Sequence, residues 1–169
     1  MKNKLLQSFD IKRYMSIVVI VLAGMLFLFA LNMVMEKRII QKANDGAAHS
    51  KVISIGGTIV LVDIASTEAA REKGLSGRSK LAPNTGILFV FESVGMWGFW
   101  MKEMSFPIDI IWVDTSGNVI TVAKSVSPQS YPDVLYPLSP AMYVLEVPAG
   151  FSVENHIKEG SVMTLPKGL

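Results

Sequence analysis

Two carboxylates stand among apolar neighbours in this sequence, and they are the first candidates for chemistry. Asp109 lies inside the run PIDIIWVD, and Glu146 lies inside YVLEV. Strand alternation places apolar side chains on both faces of the first run, so we expect Asp109 to be at least half buried. Leaving a buried carboxylate unpaired costs roughly several kcal/mol. The pattern therefore predicts that Asp109 has a cationic partner.

Arg78 is the cation that the sequence offers. It ends the segment GLSGR, whose two glycines free the backbone, and a guanidinium can hold a carboxylate through two parallel hydrogen bonds. One interpretation is a structural ion pair with Asp109 that fixes the loop to the sheet. The other is a ligand site in which Arg78 receives an anionic or carbonyl group and Asp109 positions it or acts as a base. The same reasoning extends to Glu146, and Lys102 is a second candidate partner for either carboxylate.

Aromatic side chains precede Asp109 in the chain. In an extended segment Trp97 and Phe99 share one face and Trp100 lies on the other. One interpretation is that these aromatic side chains pack in the core. The other is that they line a partly open cleft in which sugars, rings or peptide side chains stack, and the neighbouring glycines favour this second interpretation. The candidate ligand-binding residues are Arg78, Trp97, Trp100, Lys102, Asp109 and Glu146.

The residue inventory excludes several kinds of chemistry. The sequence has no cysteine and two histidines, so a thiol nucleophile, a disulfide and a thiolate metal site are excluded. Neither His49 nor His156 stands in the spacing of a zinc site or beside a nucleophile motif. GLSGR lacks the Lys-Ser/Thr ending of a phosphate-binding loop. We therefore assign no catalytic residue and expect no metal and no cofactor.

The elements that position these residues are predicted from the second part of the chain. Two β-rich runs around Gly56 and Gly57 predict a hairpin, and STEAAREKG and SVENHIKEG predict two short helices. Further strands are predicted at ILFVF, the Trp97–Met101 stretch, IDIIWVD, VITVAKSV, MYVLEV and SVMTL. The fold class is α+β, a β-rich antiparallel sheet or open barrel with two short helices.

A long apolar run precedes this domain. Residues 14–35 contain no charge, and as a helix they are roughly 33 Å long, enough to span the hydrocarbon core of a membrane. A cleaved signal peptide has a shorter run and a small-residue cleavage site. We predict a basic cytoplasmic tail at 1–13, a transmembrane helix at 14–35, a linker at 36–50 and a folded domain at 51–169.

The charges around this run indicate its orientation. The N-terminal flank carries one basic residue more than the C-terminal flank, which favours a cytoplasmic N-terminus. The protein is thus expected in the cell (inner) membrane as a single-pass protein with its C-terminal domain outside the cytoplasm, periplasmic or extracellular. Residues 50–169 carry nine basic and eleven acidic side chains, so nucleic acid is not an expected partner.

Four segments together resemble the DUF192 family, also called UPF0127. They are DIASTEAAREKGLSGRSKL, GILFVFES, FWMKEMSFPIDIIWVDTSGNVI and YVLEVPAG, and the similarity covers residues 58–165. The resemblance implies a compact β-rich α+β domain in a prokaryote-centred family, many of whose members carry a signal peptide or an anchor. It implies no activity, because the family has none assigned.

The resemblance also assigns the candidate residues to family motifs. Arg78 falls in a GLxGR element, Lys102 and Asp109 in a WMK…PLD element, and Glu146 in an EVPAG element. Many relatives carry a Pro-Cys arrangement where this chain reads SPQSYPD, at residues 127–133. Any thiol chemistry of those relatives therefore does not extend to this chain.

Three functions are compatible with these residues. The preferred one is a membrane-anchored, exported binding module for a small polar or envelope-derived ligand. The second is a hydrolase or lyase that uses Asp109 or Glu146 as acid or base. The third is a structural partner of another envelope protein. A cleft flanked by both carboxylates would favour the enzyme, whereas an Arg78–Asp109 pair inside a closed core would count against a site.

Overall fold

The computed structural model describes residues 20–35 and 51–165, together with Met15 and Ile17. The chain divides between Ala47 and Ala48 into two units. In the first unit, helix α1 covers residues 20–35. Among the described residues, no helix combines the length and the apolar character needed to cross a bilayer. Part of the predicted transmembrane helix at 14–35, and all of the predicted tail at 1–13, lie outside these residues, as does the predicted linker at 36–50.

The second unit is built mainly from strands. They are β1 (Lys51–Ile55), β2 (Thr58–Ala65), β3 (Thr85–Gly95), β4 (Ile108–Val113), β5 (Val119–Val126), β6 (Ala141–Pro148) and β7 (Met163–Thr164). The helices are α2 (Glu68–Lys73) and α3 (Phe151–Glu154), with a 3-10 helix at Pro128–Ser130. The Trp97–Met101 stretch, predicted as a strand, forms one isolated bridge, between Phe99 and Leu135.

The strands form one curled sheet. Their order is β5-β4-β6-β3-β2-β1-β7, and all neighbouring pairs are antiparallel except β2 and β3. That parallel pair departs from the predicted antiparallel pattern. It arises because the chain leaves β2, passes through a crossover that contains α2, and re-enters the sheet as β3 in the same direction. A bridge between Asn118 and Val162 joins the start of β5 to the approach of β7, so the two edges of the sheet meet at one end. The prediction of a β-rich α+β domain with few short helices is confirmed.

The helix predicted at STEAAREKG is observed as α2, and both of its ends carry local signals. The hydroxyl of Thr67 accepts a hydrogen bond from the amide of Ala70 at 3.2 Å, which caps the first turn. Gly74 ends the helix with φ at 46°, and a Cβ there would approach the Phe89 ring to 3.2 Å. Glycine is required at this position by the backbone conformation, because L residues rarely adopt it.

The sheet buries a separate apolar cluster on each face. One cluster includes Ile111, Leu145 and Val147 and is covered by Phe151 of α3. The other includes Phe89, Trp112 and Val144 and is covered by Leu75, Phe99 and Met101 from the loops that follow α2 and precede β4.

The strand register decides on which face each carboxylate lies. In the β4–β6 ladder Asp109 pairs with Val147, and Ile110 pairs with Glu146. Because successive side chains of a strand point to opposite faces, Asp109 lies on the face that α3 covers and Glu146 on the face that the loops cover. The two carboxylates are therefore separated by the sheet.

Candidate functional site

The predicted pairing of Arg78 with Asp109 is wrong. Arg78 Nη2 lies 2.7 Å from Asp63 Oδ2, and the arginine side chain is 40% exposed. Asp63 lies in β2, on the face of the sheet that also carries Ile87 and Glu146, since these residues pair in one row across the strands. Arg78 therefore meets a carboxylate of the loop-covered face, and the sheet separates it from Asp109.

Asp109 is fully buried and needs no cation, because backbone amides satisfy it. Its Oδ1 accepts hydrogen bonds from the amides of Ser125 at 2.7 Å and Gly150 at 3.1 Å, and its Oδ2 accepts one from Ser152 at 2.8 Å. Hydrogen bonds to an ionised acceptor are among the stronger ones in proteins. The carboxylate thereby joins β4 to the end of β5 and to the first turn of α3, which is a structural role.

Glu146 is also buried but has no such partners. Its side chain lies in the interior with a relative exposure of 5%, and its Oε2 has no hydrogen-bond partner. Burial raises the pKa of Glu146 from 4.5 to about 8, and the positive charge of Arg78 opposes the rise. At neutral pH the side chain is thus largely a carboxylic acid that can donate a hydrogen bond.

Glu146 lines an open cleft with a volume of about 660 Å³. Its apolar lining includes Leu75, Phe89, Phe91 and Phe99, and charged side chains from α2 and from the loop before β4 also line it. Volumes of about 300–1,000 Å³ are typical of small-molecule sites, which combine apolar walls with a few polar groups. The cleft has the size and composition of a ligand site.

Two loops cross over this face and are joined to each other. The hydroxyl of Ser76 donates to the carbonyl of Lys102 at 3.2 Å, and the hydroxyl of Ser105 donates to the carbonyl of Arg78 at 2.9 Å. A longer contact of 3.5 Å runs from the amide of Gly77 to the carbonyl of Glu103. The loops containing GLSGR and MKEMS thus form one connected wall.

The aromatic residues divide between core and cleft. Phe99 is buried and makes edge-to-face contacts with Phe89 and Trp112, at centroid distances of 4.8 and 5.9 Å. Trp97 is half-buried, lines the cleft and stacks on Phe91 with 4.0 Å between the ring centroids. Its Nε1 is buried and has no hydrogen-bond partner. Trp100 is 49% exposed and lines the same cleft as Trp97, although the two tryptophans were predicted on opposite faces of an extended segment.

The structure brings four of the six candidate residues together. Trp97, Trp100, Lys102 and Glu146 all line the cleft. Asp109 lies on the opposite face. Arg78 borders a smaller hollow together with Asp63, although its charge still reaches Glu146.

Sequence reasoning missed other residues of the cleft. Phe89 and Phe91 line it from β3, and Arg71 lines it from α2. The guanidinium of Arg71 lies 5.2 Å from the centre of the Phe91 ring. The available signal was the alternation within ILFVF, which places Ile87, Phe89 and Phe91 on one face.

The curled sheet, the connected loops and the buried glutamate together define a β-rich α+β domain with an open cleft. The profile of the DUF192 family, described as "Uncharacterized ACR", matches residues 51–165. The chain therefore belongs to the DUF192 family.

Two solved structures have folds similar to that of this chain. A suggested transcription regulator from Sinorhizobium meliloti 1021 is 25% identical, with a TM-score of 0.63, and the match covers 67% of this chain and 91% of that one. A protein of unknown function from Novosphingobium aromaticivorans DSM 12444 is 28% identical, with a TM-score of 0.65 and coverages of 69% and 85%. No curated protein matches this sequence significantly.

Proposed function

We propose that this protein is a binding module that holds a small polar molecule in the cleft beside Glu146. The observation that carries the proposal is the Oε2 atom of Glu146, which is buried at the cleft without a hydrogen-bond partner. A buried polar atom without a partner costs about 1–3 kcal/mol. A ligand that bonds to this atom recovers that free energy, which makes the cleft selective for a molecule with a matching polar group.

The position of the module in the cell is a second part of the proposal. We infer an uncleaved anchor at residues 14–35, with the domain outside the cytoplasm. The support is the 22-residue stretch without charge and the basic excess on its N-terminal side. The ligand is then a molecule of the cell envelope or its surroundings.

The other two functions are supported less well. A hydrolase or lyase that works with Asp109 and Glu146 as a pair lacks the required geometry, because the sheet separates them. An envelope-protein partner would use the exposed side chains near Pro132, among them Tyr131 and Tyr136, which are 47% and 58% exposed. For regulation of transcription, the description of one structural relative is the only support, and the acidic balance of residues 50–169 argues against it.

A thermal-shift screen with the full-length chain in detergent tests the binding module. The library contains neutral, anionic and cationic small polar molecules. We expect at least one compound to raise the Tm of the wild type and of Glu159→Gln, an exposed glutamate outside the cleft. The same compound is expected to lose its effect on Glu146→Leu. A library without any such Glu146-dependent compound would refute the proposed site.

A further inference from the structure

We infer that the molecule bound in this cleft is uncharged where it meets Glu146 and presents a carbonyl or hydroxyl oxygen to the carboxylic acid of that residue. The inference rests on the proposed function and names its ligand class. It also assigns Glu146 the role of hydrogen-bond donor to the ligand.

The first argument is that the two arginines near Glu146, Arg78 and Arg71, are bonded to other groups. Arg78 is bonded to Asp63 at 2.7 Å. Arg71 donates from Nη1 to the carbonyls of Ser66 and Val90, at 2.6 and 3.0 Å. Within residues 51–165, no basic side chain forms a salt bridge with Glu146. Glu146 is therefore not held as one half of an internal ion pair.

The second argument compares the ligand charges that the cleft can accept. The charged side chains that line it besides Glu146 are Arg71, Glu72, Lys73, Lys102 and Glu103. Basic groups outnumber acidic ones in this set, and the charge of Arg78 also reaches Glu146. A cationic ligand is disfavoured by this balance. An anionic group placed beside Glu146 would lose its water next to phenylalanine rings, and within residues 51–165 no basic side chain forms a salt bridge with Glu146 that could compensate this cost.

The third argument comes from the second unsatisfied atom. Trp97 Nε1 is also buried without a partner, and Trp97 lines the same cleft. An indole nitrogen can only donate. Once Glu146 is a carboxylic acid, both side chains offer a donor, so an acceptor-rich molecule complements them.

The strand geometry indicates the size of that molecule. Ile87 pairs with Glu146, whereas Phe91 stacks on Trp97. These two residues of β3 are four positions apart, which corresponds to roughly 13 Å along the strand. A molecule that reaches both ends is therefore about as long as two linked rings. An N-acylated sugar and an acylated amino-acid amide share the required chemistry, a neutral amide carbonyl attached to a body with apolar faces.

Isothermal titration calorimetry on the full-length chain tests the inference. The neutral probes are N,N′-diacetylchitobiose, for a glycan source, and N-acetyldiphenylalanine amide, for a peptide source; each contains two rings and neutral amide carbonyls. Tetramethylammonium and benzoate are the charged probes. We expect at least one neutral probe to bind with constant affinity below pH 7 and about tenfold more weakly at pH 9, because Glu146 ionises in this range. The probe that binds identifies the source.

The variant Glu146→Gln separates the possible outcomes. Its amide still donates a hydrogen bond but does not ionise, so the neutral probe should bind within about threefold of wild type and without the decrease at pH 9. Loss of neutral binding in this variant, tighter tetramethylammonium binding at higher pH, Glu146-dependent binding of benzoate alone, or no binding by either neutral probe would each overturn the inference. The binding module itself would survive these outcomes if the library contained a Glu146-dependent compound.

Discussion

Asp109 and Glu146 are the same kind of group in neighbouring strands, yet their environments have little in common. Both are buried and lie one row apart in the β4–β6 ladder. Three backbone amides donate to Asp109, whereas Oε2 of Glu146 has no partner and burial raises the pKa of Glu146 to about 8. The contrast shows that burial alone does not mark a functional carboxylate. What distinguishes Glu146 is unsatisfied bonding capacity at an open cleft.

The largest expected effect is on Asp109. Replacing it with alanine leaves three amides without their acceptor, so Asp109→Ala should lower the free energy of unfolding by about 3–5 kcal/mol. Denaturant unfolding followed by far-UV circular dichroism measures this loss. Asp114→Ala is a control in a turn, where Asp114 accepts bonds from Ser116 and Asn118 in a more exposed setting, and its loss should be smaller. Equal losses in both variants would show that Asp109 has no special structural role.

Glu146 should affect stability in a pH-dependent way. Its pKa is about 8 in the folded chain against an ordinary value of 4.5, so between these values the folded state binds more protons than the unfolded state. The stabilisation is complete below pH 4.5 and is lost as the pH rises through 8, with a slope of at most about 1.4 kcal/mol per pH unit. Unfolding of wild type and Glu146→Gln between pH 5 and pH 9 measures it.

The difference in unfolding free energy between wild type and Glu146→Gln isolates the contribution of Glu146. Because Glu146→Gln does not ionise, its stability should rise relative to wild type as the pH increases, and the relative gain should level off above pH 8. Glu159→Gln is the matched control and should follow the wild type. Parallel curves for wild type and Glu146→Gln would contradict the raised pKa and remove the contrast with Asp109.

A smaller effect is expected at the wall of the cleft. Gly74 has a φ of 46°, and a Cβ would approach the Phe89 ring to 3.2 Å. Gly74→Ala should therefore destabilise the domain by about 1–2 kcal/mol, measured by denaturant unfolding. Gly57→Ala is the control, since Gly57 also has a positive φ but no atom near its added Cβ. The excess loss at Gly74 reports the close contact, and equal losses would assign the whole effect to the backbone.

The sequence predicted the elements better than the partners. The alternation of apolar residues in the strands and the cap and glycine stop of α2 depend on neighbouring residues, so α2 and most strands could be predicted from the sequence. Which carboxylate Arg78 meets depends on the order of strands in the sheet. The parallel β2–β3 pair places Asp63 in the row of Glu146, and no local pattern shows this.

The same limit applies to the cleft. Sequence alternation identified Glu146 as a buried carboxylate. It placed Trp97 and Trp100 on opposite faces, whereas both line the cleft. It did not show that the GLSGR loop and the MKEMS loop are joined above Glu146. That arrangement results from the curl of the sheet and from long-range hydrogen bonds, which have no signature in adjacent residues.

The smallest expected effect concerns Arg78. Its pair with Asp63 is partly exposed, and such pairs contribute about 0–1 kcal/mol, so Arg78→Ala should change the free energy of unfolding at pH 7 very little. Its charge lowers the pKa of Glu146, so the variant should move the pH range in which Glu146 ionises upward. Unfolding curves of Arg78→Ala and of the double variant with Glu146→Gln, measured across pH 5 to 10, separate the two effects. A loss as large as that of Asp109→Ala would restore Arg78 as a structural anchor, because an exposed pair cannot account for it.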